Sequence, residues 1–528
     1  MKTIYYHGEI VTMENPLRIE EAVVVEDGII LAVGKQDEIL AMQEKGDTLV
    51  DLQGNTMLPG FIDGHSHFAG FANSLSQCDL SEAECFDDIV TLMKDFIAKH
   101  PIQEGEWVFG CNYDHNFLKE QKHPTRDLLN QISTEYPIVV VHASSHMGVM
   151  NDVALRKAGV TEDVQEIEGG RFGRDENGRL TGYMEENAFI HYQSKIPMIR
   201  FEKLLDLIEE AQTIYASYGV TTIQDGMVAD DLFKLLQYAA SQNLLKQDIV
   251  GYIDINHCRE LMKKHPEYHQ QYQNHLKIGG YKVFLDGSPQ ARTAWLSQPY
   301  EHSDDCGYPV LSDERLYTLI QYALEDKQQL LAHCNGDQAA MQYITQFEKV
   351  MQDQKTQEVY RPVMIHAQLV RKDQLASMAK IGMMPSFFIA HTYFWGDIHL
   401  ANLGKERGSH ISPANTALKY HLPFTFHQDS PVLPPDMMRT VWCAVNRITK
   451  NGVGLGDDEK ISVENALKAI TVYGAYQYFE ENSKGTITKG KVADLVILDK
   501  NPLKVPSDEL KDIQVLETIK NGKTIYKK

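Results

Sequence analysis

Two histidines separated by one residue, His65 and His67, close the run Leu58-Pro59-Gly60-Phe61-Ile62-Asp63-Gly64-His65-Ser66-His67-Phe68. On an extended strand, alternate residues project to one face, so both imidazoles can grip a single divalent ion. The same spacing also suits two ordinary buried histidines. Further along, other apolar runs contain or end in polar groups. Lys282 lies within Gly280-Tyr281-Lys282-Val283-Phe284-Leu285-Asp286, His333 follows Leu331-Ala332, His366 follows Met364-Ile365, and Asp429 follows Phe426-His427-Gln428. Each has a plainer reading. His333 and His366 suit satisfied core histidines, and Asp429 suits a turn cap. Lys282 is harder to dismiss, because lysine is almost never fully buried without a partner. Taken together, neutral imidazoles and a carboxylate make a donor set for zinc or a similar divalent ion, with open positions for water.

These residues fall at the ends of strand-like segments. Eight such segments recur, at 57–64, 220–225, 249–254, 280–286, 330–334, 363–366, 383–388 and 424–429, and helical patterns separate most of them, as at 201–219, 232–243, 314–327 and 372–381. Strands alternating with helices predict an α/β chain with a (β/α)8 barrel, in which functional groups gather at the C-terminal strand ends. Short alternating segments at both termini predict one small β-sandwich built from residues 1–57 and 485–528, leaving 58–484 for the barrel. Between about 75 and 200 the chain carries more than one helix, with a strand-like 138–142 and a Gly-rich hairpin near 169–182. This reads as an insertion over the mouth of the barrel.

Composition narrows the classes. The chain has 528 residues, 43% of them hydrophobic and 23% charged, which suits a globular protein with a large core. A net charge of −22 repels phosphate backbones and anionic lipid, so neither nucleic acid nor membrane is an expected partner. No signal-like leader or membrane-length apolar run is evident, and the seven scattered cysteines lack a Cys-x-x-Cys pair. A cytoplasmic location with reduced thiols is expected. Base rates alone suggest a homodimer.

The Pro-Gly-apolar-apolar-Asp-Gly-His-x-His text resembles the first metal motif of the amidohydrolase superfamily. Lys282-Val283-Phe284-Leu285-Asp286-Gly287-Ser288 with Arg292-Thr293-Ala294, His333-Cys334-Asn335-Gly336-Asp337, and Gly490-Lys491-Val492-Ala493-Asp494-Leu495-Val496 extend the likeness nearly end to end. The branch it most resembles is that of N-substituted formamide deformylases. The resemblance implies metal ligands at His65, His67, Lys282, His333, His366 and Asp429, and one or two divalent ions, zinc first. It also implies that Lys282 carries an N6-carboxyl group bridging two metals, since a cationic amine would repel them. Asp429 would serve as ligand and proton carrier. His146 and Glu185 match substrate-pocket segments of the family, while Arg292 and Trp107 are further substrate-contact candidates. The implied reaction is hydrolysis of a carbon–nitrogen bond in a small amide, N-formyl or cyclic amide compound. Two alternatives stay open on the same scaffold, a heterocycle deaminase and an inactive metal-binding protein.

Overall fold

Eight parallel strands, each hydrogen-bonded to the next in chain order, form the central sheet of the computed structural model. They are β1 (Phe61–Ile62), β2 (Val220–Val228), β3 (Asp248–Asp254), β4 (Leu276–Phe284), β5 (Gln329–Cys334), β6 (Val363–His366), β7 (Met384–Phe387) and β8 (Thr425–Phe426). The structure describes residues 1–115, 117–143, 147–167, 170–193, 195–196, 201–355 and 360–528. The Gly64 N–H donates to the Phe426 carbonyl at 3.2 Å, so the ends of β1 and β8 meet and the sheet curls toward closure. The strands read as nearly continuous apolar runs because they are covered on both faces. Helices between them bury one stripe each. In Asp313–Glu325 the buried residues are Leu316, Leu319, Ile320, Ala323 and Leu324, at helical spacing, and the Ser312 side chain caps the start by accepting from the Arg315 N–H.

The segment read as one strand at 57–64 is two. Thr56–Pro59 pairs antiparallel with Leu495–Leu498 in a different sheet, and only Phe61–Ile62 enters the barrel. Pro59 has no N–H to continue a ladder, and the Gly60 N–H donates to the Asp494 carbonyl, so the chain switches sheets there. The terminal segments form a four-stranded sheet (Ile29–Gly34, Ala22–Glu26, Lys2–Tyr6, Thr48–Asp51) and a six-stranded one (Lys523–Lys527, Val515–Lys520, Leu495–Leu498, Thr56–Pro59, Glu9–Val11, Ile19–Glu20). Tyr5, Val23, Ile10, Met57, Leu495 and Ile519 share one apolar cluster between strands of both sheets.

The chain divides into two units, Met1–Phe71 with Glu209–Lys528, and Ala72–Ile208. The second has its own six-stranded sheet, in spatial order Gly170–Arg174, Leu180–Glu186, Met147–Met150, Ile138–His142, Val108–Tyr113, Gln77–Asp79. Ile138 and Val140 join a cluster with Ile89, Met93 and Leu129, whereas Val139 and Val141 join one with Phe172, Met184 and Phe189. Strand alternation therefore buries both faces of this sheet. Among the described residues no helix is long and apolar enough to cross a membrane, and all seven cysteines are free thiols.

Candidate metal centre

At the C-terminal edge of the barrel sheet, His65, His67, Lys282 and His366 converge on Asp429. His65 Nε2 lies 3.3 Å and His67 Nε2 3.4 Å from Asp429 Oδ1, and His366 Nε2 lies 3.9 Å from Oδ2. Lys282 Nζ is 3.2 Å from His65 Nε2. His65, His366 and Lys282 are buried, with His67 and Asp429 partly open. Ligating nitrogen and oxygen atoms of His65, His366 and Asp429 all lie within 4.8 Å of one another, the spread expected of atoms around one ion.

The tautomers of the first pair follow from their partners. Gln224 Nε2 donates to the Gly64 carbonyl at 2.9 Å, so its Oε1 must face His65 Nδ1, 2.5 Å away, and accept the proton there. His67 Nδ1 faces the Gly226 carbonyl at 3.0 Å, which can only accept. Both Nε2 atoms thus present lone pairs to Asp429 Oδ1, itself buried without a hydrogen-bond donor. Lone pairs facing a carboxylate oxygen at this range call for a proton or a cation among them, and Lys282 reaches only His65 of the two. The donor set therefore fits a divalent metal ion held by His65, His67, His366 and Asp429.

Burial controls the charge states. It pushes His67 down to about 4 and His65 and His366 well below the ordinary histidine range, helped by Lys282 and neighbouring imidazoles. All three are neutral imidazoles at neutral pH. Burial likewise draws Lys282 down to about 7, against the attraction of Asp429, and pushes Asp429 up to about 7, against the pull of Lys282. An amine held near 7 is available in its neutral form, the form compatible with a metal site.

His333 stands beside this group, its ring 4.6 Å from that of His366. Its Nδ1 is 3.2 Å from Asp286 Oδ1, and Asn335 Nδ2 lies 3.4 Å from its Nε2. Asp286 also accepts the backbone N–H groups of Asn335 and Gly336, tying the end of β4 to the loop after β5. Asp225, buried in β2, accepts the Ala69 N–H at 3.2 Å and so fastens the turn beyond His67.

The other sequence candidates lie elsewhere. Arg292 is exposed and donates to Asn402 Oδ1 at 3.0 Å, pinning a surface loop, and does not join the cluster on Asp429. In the second unit, Glu185 accepts the Tyr183 hydroxyl at 2.7 Å, and Trp107 is partly buried against the apolar cluster around Val139 and Phe172. His146 lies outside the described residues. Cys334 is buried, and burial pushes its thiol up, which removes it as a nucleophile.

Sequence reasoning passed over His427. Its Nε2 is 3.0 Å from His366 Nδ1, and Ser386 Oγ is 2.9 Å from its Nδ1, so a buried chain from β7 through His427 sets the His366 ring. Its position two residues before Asp429 was the available signal. Nothing in the local text marks Gln224 or Ser386.

Comparison with known proteins shows the family and the fold. The amidohydrolase family matches residues 48–526. The N-substituted formamide deformylase of Arthrobacter pascens is 26% identical over 526 residues, covering 96% of this chain and 95% of that protein. The crystal structure of an uncharacterised metal-dependent hydrolase from Pyrococcus horikoshii OT3 superimposes with a TM-score of 0.80 at 26% identity, covering 96% of this chain and 99% of that one. A metal-dependent hydrolase from Pyrococcus furiosus gives 0.78 at 25% identity, covering 96% and 100%.

Proposed function

The chain belongs to the amidohydrolase family, and from that premise we propose that it hydrolyses the carbon–nitrogen bond of a small amide, N-formyl or cyclic amide compound. The observation that carries this reading is the convergence of His65 and His67 lone pairs on the donor-less Oδ1 of Asp429. His65, His67, His366 and Asp429 would hold one divalent ion, zinc being the natural choice for this donor set. Lys282 and His333 would serve a second. A bound divalent ion supplies a water of lowered pKa and polarises the scissile carbonyl. Lys282, whose neutral form burial makes available, would add its nitrogen to the carbon of carbon dioxide with loss of a proton, and the resulting carbamate could help hold a second ion.

Asp429 would take the proton of the attacking water and return it to the departing nitrogen. A carboxylate beside the water can accept that proton and pass it on. The Gln224 and Gly226 contacts keep His65 and His67 in one tautomer throughout. The experiment is a panel of N-formyl amines, simple amides and lactams, with formate, carboxylate, amine and ammonia measured separately. Release of an amine with its acid supports the reading. Release of ammonia from heterocycles alone would replace it with deamination.

A further inference from the structure

In the unit spanning Ala72–Ile208, three ligand atoms meet beyond the parallel edge of the sheet. His115 Nδ1 is 3.3 Å from His142 Nε2, and Asp114 Oδ1 lies 3.7 Å from the first and 3.5 Å from the second. The nearest point equidistant from three atoms so placed lies about 2.0 Å from each, so an ion there or just off their plane meets the bond lengths of zinc to imidazole nitrogen or carboxylate oxygen. A hydrogen bond between the two rings would account for one edge of that triangle. Asp114 can also pair with either ring, and an ion set among the three atoms would satisfy all three contacts at once.

The fold builds this placement. Val108–Tyr113 and Ile138–His142 are parallel neighbours, with Tyr113 opposite His142 and a register shift between Gly110 and Tyr113. Asn112 takes a left-handed conformation, φ 66°, within that shift. The chain is thereby turned so that Asp114 and His115 arrive beside the end of the neighbouring strand, the place where parallel sheets present ligand sites. His123 walls the site, its ring 4.1 Å from that of His115 and stacked on Tyr183, with Nδ1 3.0 Å from the Tyr113 hydroxyl.

We propose that Asp114, His115 and His142 form a second divalent-cation site, suited to zinc or another borderline ion such as cobalt(II) or nickel(II). Two imidazoles and one carboxylate leave a fourth position open. His115 and Asp114 keep side-chain exposures of 29% and 25%, so an ion can reach them from solvent.

The test is equilibrium dialysis of the full chain against zinc, with metal per chain measured for wild type and His115→Ala/His142→Ala. The double variant is expected to bind one equivalent fewer. Equal stoichiometry would overturn the proposal. Should the variant fail to fold, anomalous diffraction at the zinc edge from soaked wild-type crystals decides the matter. A peak among the three side chains supports the site, and no density there, with the Asp429 centre filled, refutes it.

Discussion

Gln224 holds His65 by a single short contact, Oε1 to Nδ1 at 2.5 Å, from a residue 159 positions away in the chain. The amide is itself fixed by donating to the Gly64 carbonyl and the Tyr478 hydroxyl. This arrangement turns the lone pair of His65 Nε2 toward Asp429 and Lys282. Gln224→Leu should lower metal affinity about 10- to 100-fold while the fold persists. Competition with a chromophoric chelator measures it, and unchanged affinity would show that the contact does not set the tautomer.

Asp429→Asn keeps the shape of the side chain but removes its proton-accepting capacity. The kcat should fall by about 10²- to 10⁴-fold, with most of the bound metal retained. Steady-state kinetics beside elemental analysis separates lost chemistry from lost metal. Near-wild-type turnover would end its role as proton carrier.

Lys282→Ala should lower the metal bound per chain, and supplying bicarbonate should not restore it. Bicarbonate present during purification of the wild-type chain should instead raise its metal content. An unaltered stoichiometry in the variant would remove Lys282 from the centre.

Stability of the metal-free chain should depend on pH through the buried pair. Asp429, raised to about 7, keeps a proton that the unfolded chain releases near 4, so its contribution falls as pH rises from about 4 to 7. Lys282, lowered to about 7, gives up a proton that the unfolded chain keeps to about 10.4, so its contribution rises with pH above 7. The pair is therefore expected to contribute least near neutrality. Denaturant midpoints of the chelated protein, compared with Lys282→Met/Asp429→Asn, test this. The double variant should show the flatter profile, and parallel profiles would contradict it.

Gly64 lies where β1 meets β8, and a Cβ there would come within 2.5 Å of Thr425 Oγ1 and 2.9 Å of the Phe426 carbonyl. Gly64→Ala should cost about 1–3 kcal/mol of stability through this overpacking. Chemical denaturation of the metal-loaded chain measures it.

Much of this was legible in the text. The apolar runs that become β2 to β7 stand out because both faces of the sheet are buried, and His333, His366 and Asp429 are visible as polar residues ending or following such runs. The switch of sheets at Gly60 was not legible, because Met57 to Ile62 is apolar throughout whichever sheet it serves. Nor were the left-handed backbones at His366, φ 71°, and Asp429, φ 54°, which non-glycine residues seldom adopt and which cluster at functional sites. Gln224, Ser386 and His427 escape for a related reason. Their work lies in contacts across strands, such as Gln224 to Gly64 and Ser386 to His427, and local sequence carries no mark of distant partners.

The most direct measurement is amide hydrolysis by the metal-loaded chain before chelation, after chelation, and after zinc is added back. Activity is expected to vanish with the metal and to return in proportion to the zinc bound at the His65, His67, His366 and Asp429 centre. Undiminished hydrolysis by a chain shown to be metal-free would contradict it.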